Sequence, residues 1–283
     1  MPQTVRRVMM VVREGREEAR SLAAEVGYWL SGRGVESSIM IHRRREAHDP
    51  EMNGERPDLV LVLGGDGTFI SAARSMLGLD LPMLGVNMGR VGFLTEVCPS
   101  RWQDELDCLL SGGYFVEERL ALGYSVTRGG ETVHRGRAVN DLVLGRGRMA
   151  RLIHVGVRFG GEKIASVRAD GLIVSTPTGS TAYAVSAGGP LIHPEVQSFC
   201  LTPVCPFRNY FKSMLLPPDR EVGLCSEEPS CDVFLTEDGQ DALPVRPGDE
   251  VRIRRSSHPL RLVRLHRNTY FSTLVDKGFL REF

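Results

Sequence analysis

Apolar and polar positions along residues 1–116 form blocks that predict strands followed by helices. The runs VRRVMMVV, SSIMIH, LVLVLGG and LPMLGVNMG each have the length and apolar content of a strand. The third is apolar at every position before its glycines, which is typical of a strand buried on both faces of a parallel sheet. Between the strands lie amphipathic segments, such as the one in which Leu22, Val26, Trp29 and Leu30 share a helical face. Strands that alternate with helices predict an α/β domain with a parallel sheet.

The pattern changes near Glu117, where short strand-like runs are joined by hairpin turns such as RGGE and FGGE. Little helix is expected beyond this point, except after Ser180. The closing TYFSTLVDKGFLREF again has helical spacing and resembles the helices of the first region. We therefore predict an α/β domain over 1–116, a mostly β domain over 117–267, and a segment over 268–283 that packs back on the first domain.

Composition excludes several classes of function. Lys+Arg and Asp+Glu number 35 each, so no overall field attracts nucleic acid or an anionic membrane surface. No apolar run approaches the roughly 18 residues of a membrane-spanning helix, and no export signal opens the chain. The six cysteines form no C-x-x-C pair, which argues against structural zinc. We expect a cytoplasmic protein with reduced thiols, without nucleic-acid or membrane partners.

The turn from Gly64 to Thr68, GGDGT, follows the fully apolar strand. Glycines let a ligand approach the main chain, and ligands of open α/β sheets bind beyond the carboxyl ends of strands. Asp66 would repel a phosphate unless it takes a proton from an attacking hydroxyl or holds a magnesium ion. The turn has neither P-loop spacing nor the dinucleotide-binding G-x-G-x-x-G. An ordinary strand-to-helix turn with Asp66 as a cap is the alternative interpretation.

Two further clusters suggest a binding site. Five hydroxyl residues crowd the stretch from Ser175 to Thr181, and such groups are costly to bury unless they find partners, either a ligand or the local backbone. The dipeptide Asn140-Asp141 offers a donor, an acceptor and a carboxylate, which suit a base edge and paired sugar hydroxyls. A bulge or turn would explain the dipeptide equally well.

Taken in order, these pieces resemble the NAD kinase family. The matching motifs are GGDGT at 64–68, NMGRVGFL at 87–94, Asn140-Asp141, DGLIVSTPTGSTAY at 170–183, SAGGP at 186–190, EDGQ at 237–240 and YFSTLVDKGF at 270–279. The resemblance implies the two-domain fold of that family and transfer of a phosphoryl group to the 2′-hydroxyl of the adenosine ribose of NAD, giving NADP. It also implies ATP or polyphosphate as the donor, a divalent metal ion such as magnesium, and a homo-oligomer, either dimer or tetramer.

The resemblance also implies roles for individual residues. Asp66 would be the proton acceptor, and no metal ligand is assigned. The phosphoryl donor would be framed by Gly64, Gly65, Gly67 and Thr68. NAD would be bound by Asp66, Gly67, Asn140, Asp141, Arg151, Arg168, Asp170, Thr181, Ala182, Tyr183, Ala184, Val185, Ser186 and Gln240.

Two departures from the family pattern affect these expectations. The family usually has Asn-Glu where this chain has Asn140-Asp141, so the carboxylate is one methylene shorter and its sugar contact longer or bridged by water. PVCPFRNYFKS at 203–213 stands where the family commonly has a proline-histidine-serine stretch. Two alternatives stay open: a lipid or sphingoid-base kinase of the same broad fold, and a non-catalytic NAD(P) sensor.

Overall fold

The computed structural model describes residues 4–43, 55–89, 92–147, 151–227, 232–266 and 269–281. The chain divides into two compact units, Met1–Glu118 together with Leu260–Phe283, and Arg119–Pro259. The return to the first unit therefore begins at Leu260, whereas the sequence pattern placed it at residue 268. The reason is a strand at Leu260–Arg264 that joins the first unit's sheet, with Leu262 paired to Met83.

The first unit alternates strands and helices, as the hydrophobic pattern predicts. Its elements up to the second unit are β1 (Arg7–Arg13), α1 (Glu17–Ser31), β2 (Glu36–His42), β3 (Leu59–Gly64), α2 (Asp66–Met76), β4 (Met83–Asn87), α3 (Trp102–Leu110) and β5 (Phe115–Arg119). All six residues of β3 are buried. Helix α1 buries Ala19, Ala23, Val26 and Leu30, which recur at helical spacing on one face.

The second unit is β-rich and contains two six-stranded sheets. Its strands are β6 (Leu122–Arg128), β7 (Glu131–Ala138), β8 (Asp141–Arg146), β9 (Ile153–Phe159), β10 (Glu162–Ala169), β11 (Gly171–Ser175), β12 (Phe199–Val204), β13 (Met214–Leu216), β14 (Val222–Ser226), β15 (Val233–Glu237), β16 (Asp241–Val245) and β17 (Glu250–Arg255). One sheet has the order β10-β9-β14-β17-β6-β7 and the other β13-β12-β11-β8-β15-β16. After Ser180 comes α4 (Tyr183–Ser186), a single short turn of helix.

The chain then returns to the first unit through β18 (Leu260–Arg264) and α5 (Thr269–Asp276). The sheet of this unit has the order β2-β1-β3-β4-β18-β5, and the first five of these strands pair in parallel. The predicted fold class, an α/β domain with a parallel sheet followed by a mostly β domain, is confirmed. Among the described helices, none is long and apolar enough to cross a membrane.

Strand order fixes where a ligand can enter the first sheet. From β1 the chain passes to β2 on one side, and then crosses to β3 on the other side of β1. Adjacent strands whose connections leave in opposite directions open a crevice at their carboxyl ends. In this unit the crevice lies beyond β1 and β3, which is where GGDGT begins.

Candidate functional site

Asp66 lies in the first turn of α2 and not in a turn that precedes the helix. The hydrophobic pattern predicts helix from Phe69, but α2 begins at Asp66 because Gly65 has an extended backbone and acts as the N-cap. A carboxylate in the first turn is also favoured by the helix dipole. Among the described residues, the hydrogen bonds to the Asp66 side chain come from residues 93–95 and not from its own helix.

The Asp66 carboxylate instead accepts hydrogen bonds from three successive backbone amides of another loop. Phe93 N donates to Oδ2 over 2.7 Å, while Leu94 N and Thr95 N each donate to Oδ1 over 3.2 Å. The hydroxyl of Thr95, a residue only 4% exposed, donates to Oδ1 over 3.1 Å. We call residues 92–95 the amide loop. Its first three residues close the NMGRVGFL motif, for which the sequence suggested no task, and Thr95 follows the motif directly. Arg90 and Val91 of that motif lie outside the described residues.

Gly92 permits this close approach. A Cβ at position 92 would lie 2.6 Å from Asp66 Cγ and 2.5 Å from Thr95 Oγ1, which no side chain tolerates. The ring of Phe93 lies 6.3 Å from that of Tyr270 and 6.2 Å from that of Phe279. The C-terminal segment therefore packs against the loop that holds Asp66.

A cavity of about 430 Å³ lies in the crevice beyond β1 and β3. Three of the four residues predicted for the phosphoryl donor line it, namely Gly64, Gly65 and Thr68; Gly67 does not. The helices α1 and α2 both begin at this cavity, and their N-termini favour negative charge. Gly64 is needed here because a Cβ would lie 2.7 Å from Thr68 Cβ. Sequence reasoning missed the other wall, residues 15–19, which follow β1 and include Arg16.

A second cavity, of about 550 Å³, lies in the second unit. We call it the acceptor cavity. Five residues predicted to bind NAD line it: Asn140, Asp141, Asp170, Ala182 and Tyr183. Its other lining residues were not predicted, and they are Val143, Gly145, Arg146, Gly171, Val204, Thr236, Asp238 and Gly239.

Carboxylates dominate the charge of the acceptor cavity. Among the described lining residues, the carboxylates of Asp141, Asp170 and Asp238 stand against one guanidinium, that of Arg146, whose Nε lies 3.1 Å from Asp170 Oδ1. Asn140 Oδ1 is buried and accepts no hydrogen bond from any residue that the structure describes. These acceptors suit a ligand rich in donors, such as sugar hydroxyls or an exocyclic amino group, more than they suit phosphate.

Asp141 is 3% exposed, and its electrostatics are unusual. Burial is the main cause that raises the pKa of its carboxyl to about 7, and the negative charge of Asp238 adds to it. The ionised Asp141 carboxylate is buried beside another negative charge. A ligand that donates hydrogen bonds to it would therefore stabilise its ionised form.

For two residues of the hydroxyl-rich stretch, the structure decides between the two alternatives in favour of the local backbone. Thr176 Oγ1 donates to Val139 O over 2.7 Å and accepts from Gly179 N over 3.0 Å. Ser180 Oγ donates to Pro177 O over 2.6 Å and accepts from Ile192 N over 3.1 Å. Both residues are completely buried. The backbone therefore consumes these hydroxyls, because the tight turn leaves polar main-chain groups that need partners.

The remaining residues predicted to bind NAD do not line the acceptor cavity. The Arg168 guanidinium lies 5.5 Å from the ring centroid of Phe207, on the exposed side of β10. The side chain of Ala184 is fully buried, so its neighbours would have to present the ligand surface. The others are exposed or partly buried: Arg151, Thr181, Val185, Ser186 and Gln240. Their assignment to NAD stays a prediction.

Metal binding by the protein alone finds no support in the described residues. Nowhere among them do three or more His, Cys, Asp or Glu side chains come together in a way that could hold a metal ion. In the glycine turn, Asp66 is the one carboxylate, so the turn by itself provides no cluster of metal ligands.

Comparison with known proteins gives a consistent picture. Residues 41–114 match the family described as ATP-NAD kinase N-terminal domain, and residues 139–265 match ATP-NAD kinase C-terminal domain. An NAD kinase from Nitratidesulfovibrio vulgaris (strain Miyazaki F) is 42% identical over 282 residues, which cover 100% of this chain and 99% of the relative. An NAD kinase from Moorella thermoacetica is 37% identical over 278 residues, covering 96% of this chain and 89% of the relative.

Solved structures agree with these sequence matches. An NAD kinase from Archaeoglobus fulgidus in complex with ATP has a TM-score of 0.75 and 26% identity, covering 96% of this chain and 98% of that one. A yeast NADH kinase complexed with NADH has a TM-score of 0.85 over 99% of this chain and 90% of that one. At 21% identity the second similarity supports the fold alone.

Proposed function

Because the chain belongs to the NAD kinase family, we propose that it transfers a phosphoryl group from ATP to the 2′-hydroxyl of the adenosine ribose of NAD, giving NADP. The observation that carries the mechanism is Asp66, a carboxylate fixed by the amide loop with one oxygen still open. The relatives are NAD kinases, and they give no support to a lipid kinase or a non-catalytic sensor.

Asp66 Oδ2 is the atom we assign as proton acceptor. A carboxylate offers about four lone-pair sites, two on each oxygen. From the residues that the structure describes, Oδ1 accepts three hydrogen bonds and is saturated, whereas Oδ2 accepts one, from Phe93 N. One site on Oδ2 therefore remains for the proton of the attacking hydroxyl.

The reaction then needs little covalent chemistry from the protein. The 2′-oxygen forms a bond to the terminal phosphorus of ATP, the bond from that phosphorus to the bridging oxygen breaks, and ADP leaves. The hydroxyl proton passes to Asp66 Oδ2. The amide loop fixes the carboxylate, so no reorganisation is required at the moment of transfer.

The cavity beyond β1 and β3 is the proposed donor site. Gly64, Gly65 and Thr68 would lie against the phosphates, and the first turns of α1 and α2 provide positive dipole ends. Glu17 and Glu18 add negative charge at the same place. Because these carboxylates would repel a triphosphate, part of the negative charge of the triphosphate would have to be neutralised before it binds.

The acceptor cavity is the proposed site for the nucleoside part of NAD. Asn140 would bind a base edge or a sugar hydroxyl, and Asp141 and Asp170 would accept from hydroxyls, consistent with a carboxylate-rich lining. Tyr183, which is 47% exposed, offers a flat apolar wall. Because Asp141 is shorter than the glutamate usual in the family, its sugar contact is expected to be longer or bridged by water.

Some features of the sequence-based hypothesis remain proposals. A divalent metal ion, with magnesium as the expected one, would enter on the oxygens of the donor, since the described residues provide no cluster for it. Polyphosphate as a second donor, a homo-oligomer, a cytoplasmic location and the absence of nucleic-acid partners are retained as predictions.

A coupled assay tests the proposal. Purified protein with NAD, ATP and magnesium should form NADP, detected with a dehydrogenase that accepts only NADP. Replacing ATP by polyphosphate tests the second donor, and a chelator tests the metal. If neither donor yields NADP while NAD still raises the melting temperature, the sensor interpretation replaces the kinase.

A further inference from the structure

Asp238 lies in the turn between β15 and β16 and binds the main chain of a distant segment. Its Oδ1 accepts from Asn140 N over 2.7 Å and from Asp141 N over 3.1 Å, and its Oδ2 accepts from Val139 N over 3.1 Å. Its own amide donates to Asp141 O over 3.0 Å. Four hydrogen bonds thus join one residue to the segment 139–141.

The backbone at Asp238 is held in an uncommon conformation. Its φ is +47°, in the left-handed region that residues other than glycine seldom adopt. Such a conformation persists where the surroundings compel it, and it often marks a functional position. Here it points both the amide and the carboxylate of Asp238 toward the same segment.

The opposite side of segment 139–141 is fixed as well. Thr176 N donates to Asn140 O over 2.8 Å, and Thr176 Oγ1 donates to Val139 O. Gly179 packs on the Asn140 backbone so closely that a Cβ would lie 2.7 Å from Asn140 Cα. Asp238 thus binds three amides and the Asp141 carbonyl, and Thr176 binds the carbonyls of Val139 and Asn140, so the side chains of Asn140 and Asp141 remain to line the acceptor cavity.

We propose that Asp238 is a positioning residue for NAD, which fixes the main chain of residues 139–141 so that Asn140 and Asp141 present their polar atoms to the dinucleotide. The inference rests on the proposed function, because it assigns the acceptor cavity to NAD. Asp238 itself acts through the segment. Without its carboxylate, three amides would lose their acceptor and the segment would rearrange to find others.

The negative charge of Asp238 also affects the pKa of Asp141, which can be measured independently of NAD affinity. The elements packed around Asp141 carry several charged residues: Glu237 ends β15, Asp241 begins β16, Asp238 lies in the turn between them, and Arg146 and Asp170 line the same cavity. After burial, Asp238 is what raises the pKa of Asp141. Neutralising Asp238 should therefore shift the titration of Asp141 to lower pH.

Two variants separate these effects. Asp238→Gly removes the carboxylate and keeps a residue that accepts positive φ, while Asp238→Asn keeps one acceptor oxygen and removes the charge. For Asp238→Gly we expect the KM for NAD to rise about tenfold or more, with kcat and the KM for ATP within about threefold. For Asp238→Asn we expect a smaller rise, together with an acid shift of the pH at which the KM for NAD begins to increase.

Asp249→Asn is the matched control. Like Asp238, which is partly buried, Asp249 is an aspartate in a turn of the second unit that accepts a backbone amide, that of Arg246 over 2.8 Å. It is buried and pairs with Arg128, but it does not line the acceptor cavity. This variant should lower the melting temperature and leave the KM for NAD unchanged. Hydrogen exchange at residues 139–141 should accelerate in Asp238→Gly and not in Asp249→Asn.

The outcomes are distinguishable. If the wild-type protein forms no NADP, the proposed function is wrong and the inference falls with it. If the wild type is active but both Asp238 variants keep its KM for NAD and its pH profile, the inference is overturned and the function stands. Should Asp238→Gly fail to fold, Asp238→Asn decides by the KM and the pH profile.

Discussion

Each unit of the molecule contains an aspartate whose carboxylate accepts hydrogen bonds from three successive backbone amides. Asp66 binds the amides of residues 93–95, and Asp238 binds those of residues 139–141. What differs is the segment that supplies the amides. The amide loop places Thr95 inward to support the carboxylate, whereas segment 139–141 presents Asn140 and Asp141 to a cavity.

The comparison shows that the same local contact serves opposite purposes. In the first unit the aspartate is proposed to react and the loop supports it. In the second unit the roles are exchanged. Asp238 supports segment 139–141, and this segment carries the side chains that are proposed to bind NAD. Open lone pairs, cavities and exposed side chains therefore indicate the role of an aspartate better than the hydrogen bonds it accepts.

The largest effect is expected for Asp66→Asn. The amide can still accept hydrogen bonds at Oδ1 but cannot take the proton, so kcat should fall on the order of 10²–10⁴-fold while the KM for NAD changes little. Steady-state kinetics measure both. Asp58→Asn is the matched control, since Asp58 Oδ2 also accepts two backbone amides, of Arg6 and Arg7, outside the site. If Asp66→Asn kept a kcat close to that of the wild type, Asp66 would not be the proton acceptor.

Gly92→Ala should act on the same step through position alone. The added methyl would displace either the Asp66 carboxylate or Thr95, and a shift of about 1 Å can cost on the order of 10²-fold in rate. We expect kcat to fall between about tenfold and a hundredfold, with the melting temperature lowered as well.

Gly89→Ala is the control for the same stretch of chain, because a Cβ there would meet its nearest heavy atom, Asn87 Oδ1, at an ordinary 3.9 Å. Both variants should be compared at a temperature well below either melting point. If Gly92→Ala keeps full kcat, the amide loop does not position Asp66 for catalysis.

Asp141→Asn sharpens the comparison through pH. The usual pKa of 3.8 is raised to about 7 in the folded chain, so only well below pH 3.8 is the group protonated in both states, and there the substitution should matter little. Between pH 4 and 7 the unfolded chain ionises first, and folding stability falls as pH rises. Above pH 7 Asp141→Asn should therefore be more stable than the wild type, by up to about 4 kcal/mol.

Urea unfolding at pH 5 and pH 8, without nucleotide, measures this difference. The gain at pH 8 should shrink markedly at pH 5, and equal gains at both values would contradict the buried, charged Asp141. In the wild type, protonation below about pH 7 should also weaken NAD binding, with the KM for NAD rising by at most tenfold per pH unit.

Arg146→Ala should have the smallest effect. Arg146 lines the acceptor cavity and pairs with Asp170, but both side chains are partly exposed, and such pairs contribute about 0.2–1 kcal/mol. The KM for NAD should change about 1.5- to 5-fold. Arg252→Ala, which breaks the similarly exposed pair with Glu250 elsewhere in the second unit, should leave the KM unchanged. An equal change in both variants would show a general charge effect.

The pattern of apolar residues predicted helices and strands well where the buried residues recur with the period of the element. The all-apolar β3 and the helical stripe of α1 were recognisable in the sequence, and so was the change to β structure near Glu117. Helix α2 was predicted to begin at Phe69, three residues late, because a glycine-rich stretch hides a helix start when the N-cap is glycine.

The partners of polar side chains could not be predicted in the same way. The hydroxyls of Thr176 and Ser180 looked available for a ligand, yet both are consumed by main-chain groups that become close only in the folded turn. Asp238 and segment 139–141 are about a hundred residues apart in sequence, and Asp66 is separated from the amide loop by nearly thirty. No local pattern in the sequence links these distant partners. The EDGQ motif, which contains Asp238, and the NMGRVGFL motif, which contains most of the amide loop, only marked these segments as similar to the family.

The measurement that tests the account most directly is NADP formation by the wild type, Asp66→Asn and Asp238→Gly in one assay, with NAD varied at saturating ATP and magnesium. We predict that Asp66→Asn loses kcat and keeps the KM for NAD, whereas Asp238→Gly keeps most of kcat and loses affinity for NAD. If both variants lose the same parameter to the same extent, the two aspartates do not divide the work as proposed.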